Sequence, residues 1–180
     1  SLPPAAAALQ PAAQPAPQLQ DRQKLEIAAT LAFESVYEAW GRNDPALLKP
    51  DFISGGALRK LSAIMKARRD DGISFEFNSL FTRRAEVVLG AMAARGADAQ
   101  AEFTARITAT AVRAMARNGK VIYRDQAPQP FTEYWVFSRD GGDWKLSDIL
   151  PRMEQEGSDP GQDGAPGPAQ IEWYWEAAKC

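Results

Sequence analysis

The side chains that could do chemistry in this sequence form two groups, a run of cations and a few acid–base groups. The cations fall between residues 59 and 69: Arg59, Lys60, Lys66, Arg68 and Arg69. On a helix they would form a positive face able to bind anionic headgroups, at about 1 kcal/mol per residue. The alternative is a solvated helix face that the nearby Asp70 and Asp71 partly neutralise.

Four side chains are candidates for acid–base catalysis: Glu102, Glu133, Asp148 and Tyr123. A carboxyl group in an apolar pocket can have its pKa raised into a useful range. However, no two carboxylates stand at a spacing that singles out a catalytic pair, and Asp148 is expected to project outward at a strand end. Glu133 and Arg139 share one strand face, so they either pair with each other or both flare out at the strand ends, and an ion pair is favoured over catalysis. We therefore predict no catalytic residue and no enzymatic activity.

Composition excludes several further chemistries. The chain has 180 residues, no histidine and a single cysteine, Cys180. Without histidine there is no imidazole base and no histidine-bound metal. One cysteine can form neither an internal disulfide nor a thiolate metal cluster. The formal net charge is −2, which is unlike the strongly basic balance of a nucleic-acid-binding domain. We therefore predict no cofactor, no metal and no nucleic-acid partner.

Three helices are predicted to come first. Apolar residues recur every three or four positions over residues 21–43, which indicates an amphipathic helix with Asp21 as its N-cap. Asp44 is expected to cap a short second helix. The cations then lie on a third helix, which follows Ser54 and ends before Gly72.

Beyond the third helix the apolar period changes to two, which indicates strands. Residues 101–115 alternate apolar and polar side chains over one long, half-buried strand, and Asn118-Gly119 is a hairpin signal. Two more strands, 132–138 and 143–150, are joined at Gly141-Gly142. Helices followed by antiparallel strands predict an α+β fold, with the N-terminal helices packed on one face of a curved antiparallel sheet.

The two ends differ in composition from this central domain, which is predicted at residues 21–150. Residues 1–20 carry no charge and are rich in Ala, Pro and Gln, which predicts a disordered linker. Residues 151–180 begin as an acidic linker and end in a segment with Trp173 and Trp175, which we expect to dock on the domain itself or on a partner. No stretch is apolar enough to cross a bilayer, so any membrane anchor would lie upstream.

Two aromatic motifs near the end of the domain carry a resemblance to a known family. They are Glu133-x-Trp135-x-Phe137-x-Arg139 and Trp144-x-Leu146-x-x-Ile149. Together with the helix that ends in Trp40, they make residues 22–150 similar to the Tim44-like domain, named for a peripheral subunit of the mitochondrial inner-membrane import motor. The resemblance implies a cone-shaped, nuclear-transport-factor-two-like (cystatin-like) fold around a pocket. For that core or pocket we expect Trp40, Phe103, Trp135, Phe137 and Trp144.

The resemblance also implies a function. The mitochondrial relatives attach to the inner membrane and have affinity for acidic lipid, which favours the lipid interpretation of the cations. We expect a non-enzymatic binding domain on the cytoplasmic face of a bacterial inner membrane. It would contact anionic phospholipid or a membrane protein during protein translocation or membrane-protein assembly. The alternatives are a small-ligand-binding or catalytic domain that uses a pocket carboxylate, and a structural module that assembles through its tryptophan tail.

Overall fold

The fold was obtained as a computed structural model, which describes residues 15–89, 101–151 and 165–175. The helices are α1 (Pro15–Gly41), a short 3₁₀ helix (Pro45–Leu47), α2 (Gly55–Asp70) and α3 (Pro168–Trp173). The strands are β1 (Ile73–Leu89), β2 (Glu102–Arg117), β3 (Lys120–Arg124), β4 (Gln129–Asp140), β5 (Asp143–Leu150) and β6 (Ala165–Pro166). Helices therefore precede the main strands, as the sequence predicts.

Helix α1 begins earlier than its sequence pattern indicates. It starts at Pro15, so residues 15–20 are helical rather than part of a disordered linker, and Asp21 lies inside the helix instead of capping it. Prolines are tolerated in a first helical turn because its amides have no partner within the helix. The predicted linker is therefore too long by these six residues, and its remaining residues, 1–14, lie outside the described residues.

Capping side chains fix the connection between α1 and α2. Asp44 accepts a hydrogen bond from the Ala46 amide at 3.0 Å, which confirms it as the cap of the 3₁₀ helix. Ser54 accepts from the Ala57 amide at 3.3 Å and begins α2. Between these caps, Ile53 forms a parallel bridge with Leu146, so this connection covers the outer edge of β5.

The sheet is antiparallel along its main path, which runs β1-β2-β4-β5. β2 is long enough to pair with β4 along its first part and with β3 along its last. The hairpin between β2 and β3 turns at Asn118 (φ 51°) and Gly119 (φ 81°), as the Asn-Gly signal predicts. β6 adds a short parallel pairing to β4 at Phe131 and Thr132.

β1 is one continuous strand, although the alternation of its apolar residues is interrupted. Its pairing with β2 shifts register between Asn78 and Phe81, between Thr82 and Arg84, and again near Val87. Such bulges bend a strand and increase its twist. This gives the sheet the concave face on which α1 packs.

The core lies between α1, α2 and the concave face. Alternate residues of β2, from Phe103 to Ala111, are at most 1% exposed, as expected for the inward side of a half-buried strand. Of the aromatic residues expected in the core or pocket, Trp40, Phe103, Trp135 and Phe137 are buried there. Trp144 is half-buried, and its ring meets that of Phe103 edge-on, with the centroids 5.0 Å apart.

Candidate binding cleft

Residues 165–175, called here the tail segment, lie across the open end of the domain beyond β5. β6 pairs with β4, and α3 packs between β4, β5 and α2. The polar side chains of α3 are not solvated as in an ordinary surface helix, because both Gln170 and Glu172 are buried. The tail segment therefore fills a cleft in the domain, and the residues of that cleft make up the candidate site.

The floor of the cleft is a buried carboxyl group on β4. Oε1 of Glu133 accepts a hydrogen bond from the Tyr37 hydroxyl at 2.8 Å, and Oε2 accepts from the Gln170 amide at 2.7 Å. The Ala169 amide donates to the Tyr37 oxygen at 2.9 Å. A Cβ atom on Gly167 would lie 2.3 Å from Oε2 of Glu133, so only glycine allows the tail to come this close.

Burial governs the protonation of this pair. Removal from water raises the pKa of Glu133 to about 7, although hydrogen bonds from the Gln170 amide and the Tyr37 hydroxyl oppose the shift. Burial, and then the charge of Glu133, also raise the pKa of Tyr37 well above its ordinary value. The hydroxyl of Tyr37 therefore stays protonated and acts as a donor, whereas Glu133 changes charge near neutral pH.

A bidentate salt bridge closes the side of the cleft formed by α2. Nε and Nη2 of Arg68 lie 2.7 and 2.9 Å from the two carboxylate oxygens of Glu172. The side chains are 12% and 4% exposed. The Arg68 guanidinium also lies over the ring of Trp175, 4.1 Å from its centroid. Charge-assisted, two-point bonding of this kind fixes orientation as well as contributing energy.

Aromatic side chains of the tail segment make the remaining contacts. The ammonium group of Lys60 lies 4.0 Å from the centroid of the Trp173 ring, within the range of a cation–π interaction. The Trp173 indole donates to Oδ1 of Asp148 at 3.1 Å, and the Tyr174 hydroxyl donates to the Ile149 carbonyl at 2.6 Å. The tryptophan tail thus docks on its own domain.

The predicted cationic face is divided between two environments. Lys60 and Arg68 face the tail segment, as described above. The other three cations, Arg59, Lys66 and Arg69, are exposed and lie seven and three residues apart, so they share the outward side of α2. We call these three residues the outward stripe. Within the part of the chain that the structure describes, none of them forms a salt bridge.

The other basic residues do not form one continuous patch with this helix. Arg106 lies on the convex side of β2 and is 3.7 Å from Glu86. Arg113 points to the concave side, where its Nε lies 2.8 Å from Oδ2 of Asp125. The even and odd positions of a strand face opposite sides of a sheet, so Arg106 and Arg113 cannot extend the same surface.

An apolar groove of about 260 Å³ remains open beside the tail segment. β1 and β2 contribute Phe75, Phe77 and Met115 to its walls, and Tyr123 comes from β3. α3 supplies Ile171, which is 49% exposed. The tail segment therefore fills only part of the available concave surface.

The four acid–base candidates do not converge. Glu102 is exposed at the start of β2, and Tyr123 hydrogen-bonds Asp125. Asp148 contacts the tail instead of projecting freely into solvent. Glu133 is fully buried, with both oxygens occupied.

The predicted ion pair between Glu133 and Arg139 is wrong. Six residues of strand place their backbones about 20 Å apart, too far for a direct contact even though they share a face. Arg139 is exposed and lies 5.7 Å from the Trp144 ring centroid instead. Sequence reasoning also missed Tyr37 and Gly167 as parts of the site. The only local signal was Gly167-Pro168 before a short run of helix-forming residues.

The fold and cleft define an α+β domain in which helices cover the concave face of a curved antiparallel sheet. The Tim44-like domain model matches residues 14–150, and the chain belongs to this family. Through it, the chain is related to membrane-associated proteins of protein translocation. No curated protein matches the sequence significantly. No helix among the described residues is both long and apolar enough to span a bilayer.

Solved structures with a similar fold share little sequence with this chain. The intermembrane space region of the chloroplast protein ARC6 has a TM-score of 0.52 at 12% identity, with 72% of this chain and 96% of that chain covered. At this identity the likeness bears on the fold alone.

Two further structures match with lower scores. A putative dehydratase of the NTF2-like family from Streptomyces avermitilis has a TM-score of 0.38, 19% identity and coverages of 72% and 92%. A putative polyketide cyclase from Xanthomonas campestris has a TM-score of 0.30, 12% identity and coverages of 71% and 90%.

Proposed function

We propose that this protein is a non-enzymatic, membrane-associated binding domain whose outward stripe contacts anionic phospholipid. The observation that carries the proposal is the placement of Arg59, Lys66 and Arg69. All three are exposed on the side of α2 opposite its buried residues, and none is engaged in a salt bridge among the described residues. A positive surface that forms no salt bridge with the rest of the described chain is available to anionic headgroups.

The expected strength fits a peripheral contact. At about 1 kcal/mol per cation near an anionic surface, three residues contribute roughly 3 kcal/mol. Binding of that size is reversible and falls as salt screens the charges. Stable attachment needs a second contact with the membrane or with a membrane protein. The function is therefore to hold the domain and its cleft in one orientation at an acidic bilayer, in the setting of protein translocation or membrane-protein assembly.

The state of Glu133 supports a binding role over a catalytic one. Its two oxygens accept hydrogen bonds from Tyr37 and Gln170, and the side chain has no exposed surface. A general acid or base must come within hydrogen-bond reach of its substrate. With the tail segment docked, the one deeply buried carboxyl among the four acid–base candidates has no such access.

Vesicle flotation tests the proposal. The full chain is mixed with phosphatidylcholine vesicles that contain or lack phosphatidylglycerol, at low and at physiological salt. Flotation is expected only with the anionic vesicles, and less of it at the higher salt. The triple variant Arg59→Glu, Lys66→Glu, Arg69→Glu should lose flotation.

A matched control keeps the charge change but moves it away from α2. The triple variant Arg22→Glu, Lys24→Glu, Arg117→Glu reverses three exposed cations outside the outward stripe. It should float more than the stripe variant. Equal losses in the two variants would mean that net charge, not the stripe, determines binding. Arg68 is left unchanged because its salt bridge with Glu172 would confound the result.

A further inference from the structure

We infer that the cleft under the tail segment is a binding site for a segment of a partner protein, and that the tail segment occupies it as an internal competitor. The partner segment would have the chemistry of the tail: a Gly-Pro turn and one helical turn carrying an acidic side chain and aromatic residues. The tail segment lies outside residues 14–150, which the family model matches. The cleft is thus built by the family domain, and its occupant comes from outside that domain. This inference does not depend on lipid binding.

The contacts in the cleft are selective for this chemistry. Arg68 binds the acidic side chain of Glu172 at two points. Glu133 accepts a hydrogen bond from the Gln170 amide in the first turn of α3. Only glycine fits at position 167, just before that turn, because a Cβ there would collide with Glu133. Lys60 and Asp148 both contact Trp173, one at the ring face and one at the indole N–H. A purely apolar segment would leave these charged groups without partners, at a cost in free energy.

The groove beside α3 shows that a larger occupant would fit. Its walls combine Phe75, Phe77 and Met115 of the domain with Pro168 and Ile171 of the tail segment. Ile171 is about half-exposed, and about 260 Å³ of the groove beside it is unfilled. A partner segment with a bulkier side chain at the position of Ile171 would bury apolar surface that the tail leaves exposed.

The tail segment is also suited to being displaced. α3 has six residues, and a helix this short has little stability of its own in water. The connection from residue 152 to residue 164 contains three glycines and four acidic residues. Such a tether holds the tail segment at an effective concentration on the order of millimolar. A partner segment that binds more tightly than the tail can therefore replace it.

The test uses the full chain and a fluorescent peptide with the sequence of residues 165–175. In the Gly167→Ala variant, the new methyl group collides with Glu133 and releases the tail. Fluorescence anisotropy should show the peptide binding this variant at least about tenfold more tightly than the wild-type chain, whose cleft is occupied. Gly56→Ala is the matched control, because a Cβ there meets no atom within 4 Å, and it should behave as wild type. Equal affinity for the wild type and Gly167→Ala, or binding to neither, would overturn the inference.

A double-mutant cycle establishes that the peptide uses the same cleft. In the Gly167→Ala chain, a peptide with Glu172→Gln should bind about tenfold more weakly, since it loses a buried charge partner. With Arg68→Gln added to the chain, the two peptides should bind alike. A Glu172→Gln effect that persists without Arg68 would place the peptide elsewhere and contradict the inference.

The groove provides a separate readout. A peptide with Ile171→Trp should bind the Gly167→Ala chain several-fold more tightly than the native peptide, because it fills the groove with apolar surface. Weaker binding of this peptide would show that the groove is not part of the partner site. Sedimentation of the wild-type chain should give a monomer across the concentrations used. A dimer that the peptide dissociates would mean that the site serves a second copy of this chain, and would also overturn the inference.

Discussion

The hydroxyl of Tyr37 on α1 donates a hydrogen bond to Oε1 of Glu133 on β4 over 2.8 Å, and both groups are buried. The same hydroxyl oxygen accepts the amide of Ala169 from the tail segment. The Tyr37 hydroxyl therefore links α1 to both β4 and the tail segment by hydrogen bonds. Backbone amides of α3 supply the further partners of this buried polar pair.

Replacing Tyr37 with phenylalanine removes the hydroxyl and keeps the ring. Glu133 then loses a donor, and the Ala169 amide loses its acceptor. A buried polar group left without a partner costs about 1–3 kcal/mol, so we expect the free energy of unfolding to fall by roughly 2 kcal/mol. Urea denaturation at neutral pH measures this.

Tyr174→Phe is the matched control for the loss of a tyrosine hydroxyl. Its hydroxyl donates only to the Ile149 carbonyl, and the residue is part-buried. The expected loss of stability is smaller than that of Tyr37→Phe. Equal losses in the free energy of unfolding would show that the buried network around Tyr37 adds nothing to the cost of removing a tyrosine hydroxyl.

Glu133 should make stability depend on pH. Its pKa in the folded protein is about 7, raised from an ordinary value of 4.5 by burial. Because the folded state holds the proton more tightly, this carboxyl favours folding at low pH, and that contribution is lost as pH rises from about 4.5 through 7. A shift of this size corresponds to roughly 3 kcal/mol.

Glu133→Gln removes this titration while keeping the shape of the side chain. The stability of the variant relative to the wild type should increase between pH 5 and pH 8, as measured by urea denaturation across that range. Glu38→Gln, which alters an exposed carboxylate on α1, serves as the control. A difference between Glu133→Gln and the wild type that stays constant with pH would contradict the assignment of this titration to Glu133.

The elements of the fold were accessible from sequence because they depend on local spacing. Alternation in β2 correctly put Phe103 and Ile107 on the buried side, and the Asn-Gly pair at 118 correctly marked the hairpin. The register shifts in β1 were not accessible. A bulge inserts a residue without changing composition, so alternation appears to stop where the strand continues.

The candidate site was harder to predict from the sequence than the fold. Residue spacing indicates which face of a helix or strand a side chain lies on, but not which other segment packs against that face. Spacing put Glu133 and Arg139 on one face of a strand, yet the observed partner of Glu133, Tyr37, is 96 positions away in sequence. The cations of α2 were identified as a group, although Arg68 belongs to the core side of that helix and the outward stripe to the other. Arg68 differs from the outward stripe in that it contacts the docked tail segment. That contact was hard to predict, because no sequence pattern in the connection before the tail segment indicates where the tail docks.

Asp125 should stabilise the protein at neutral pH and lose that effect in acid. Burial opposes its charge, but hydrogen bonds from Arg113 and Tyr123 outweigh burial and lower the pKa of Asp125. The stabilisation is therefore present above its unfolded pKa of about 3.8 and declines as pH falls below it. Asp125→Asn should cost about 1–2 kcal/mol at pH 7. Urea denaturation at pH 7 and pH 3 should show a smaller cost in acid, whereas Asp143→Asn, at an exposed turn, should have little effect at either pH.

Gly72 ends α2 in a conformation that other residues adopt at a cost. Its φ is +75°, and an added Cβ would lie 2.0 Å from Oδ1 of Asn118. The Asn118 side chain can move, so the backbone conformation determines most of the penalty, which we expect to be about 1–2 kcal/mol for Gly72→Ala. Gly56→Ala, with open space and no such φ, should be neutral or slightly stabilising. Thermal and urea denaturation should show Gly72→Ala to be less stable than Gly56→Ala. Equal stability of the two variants would mean that the left-handed conformation at position 72 does not require glycine.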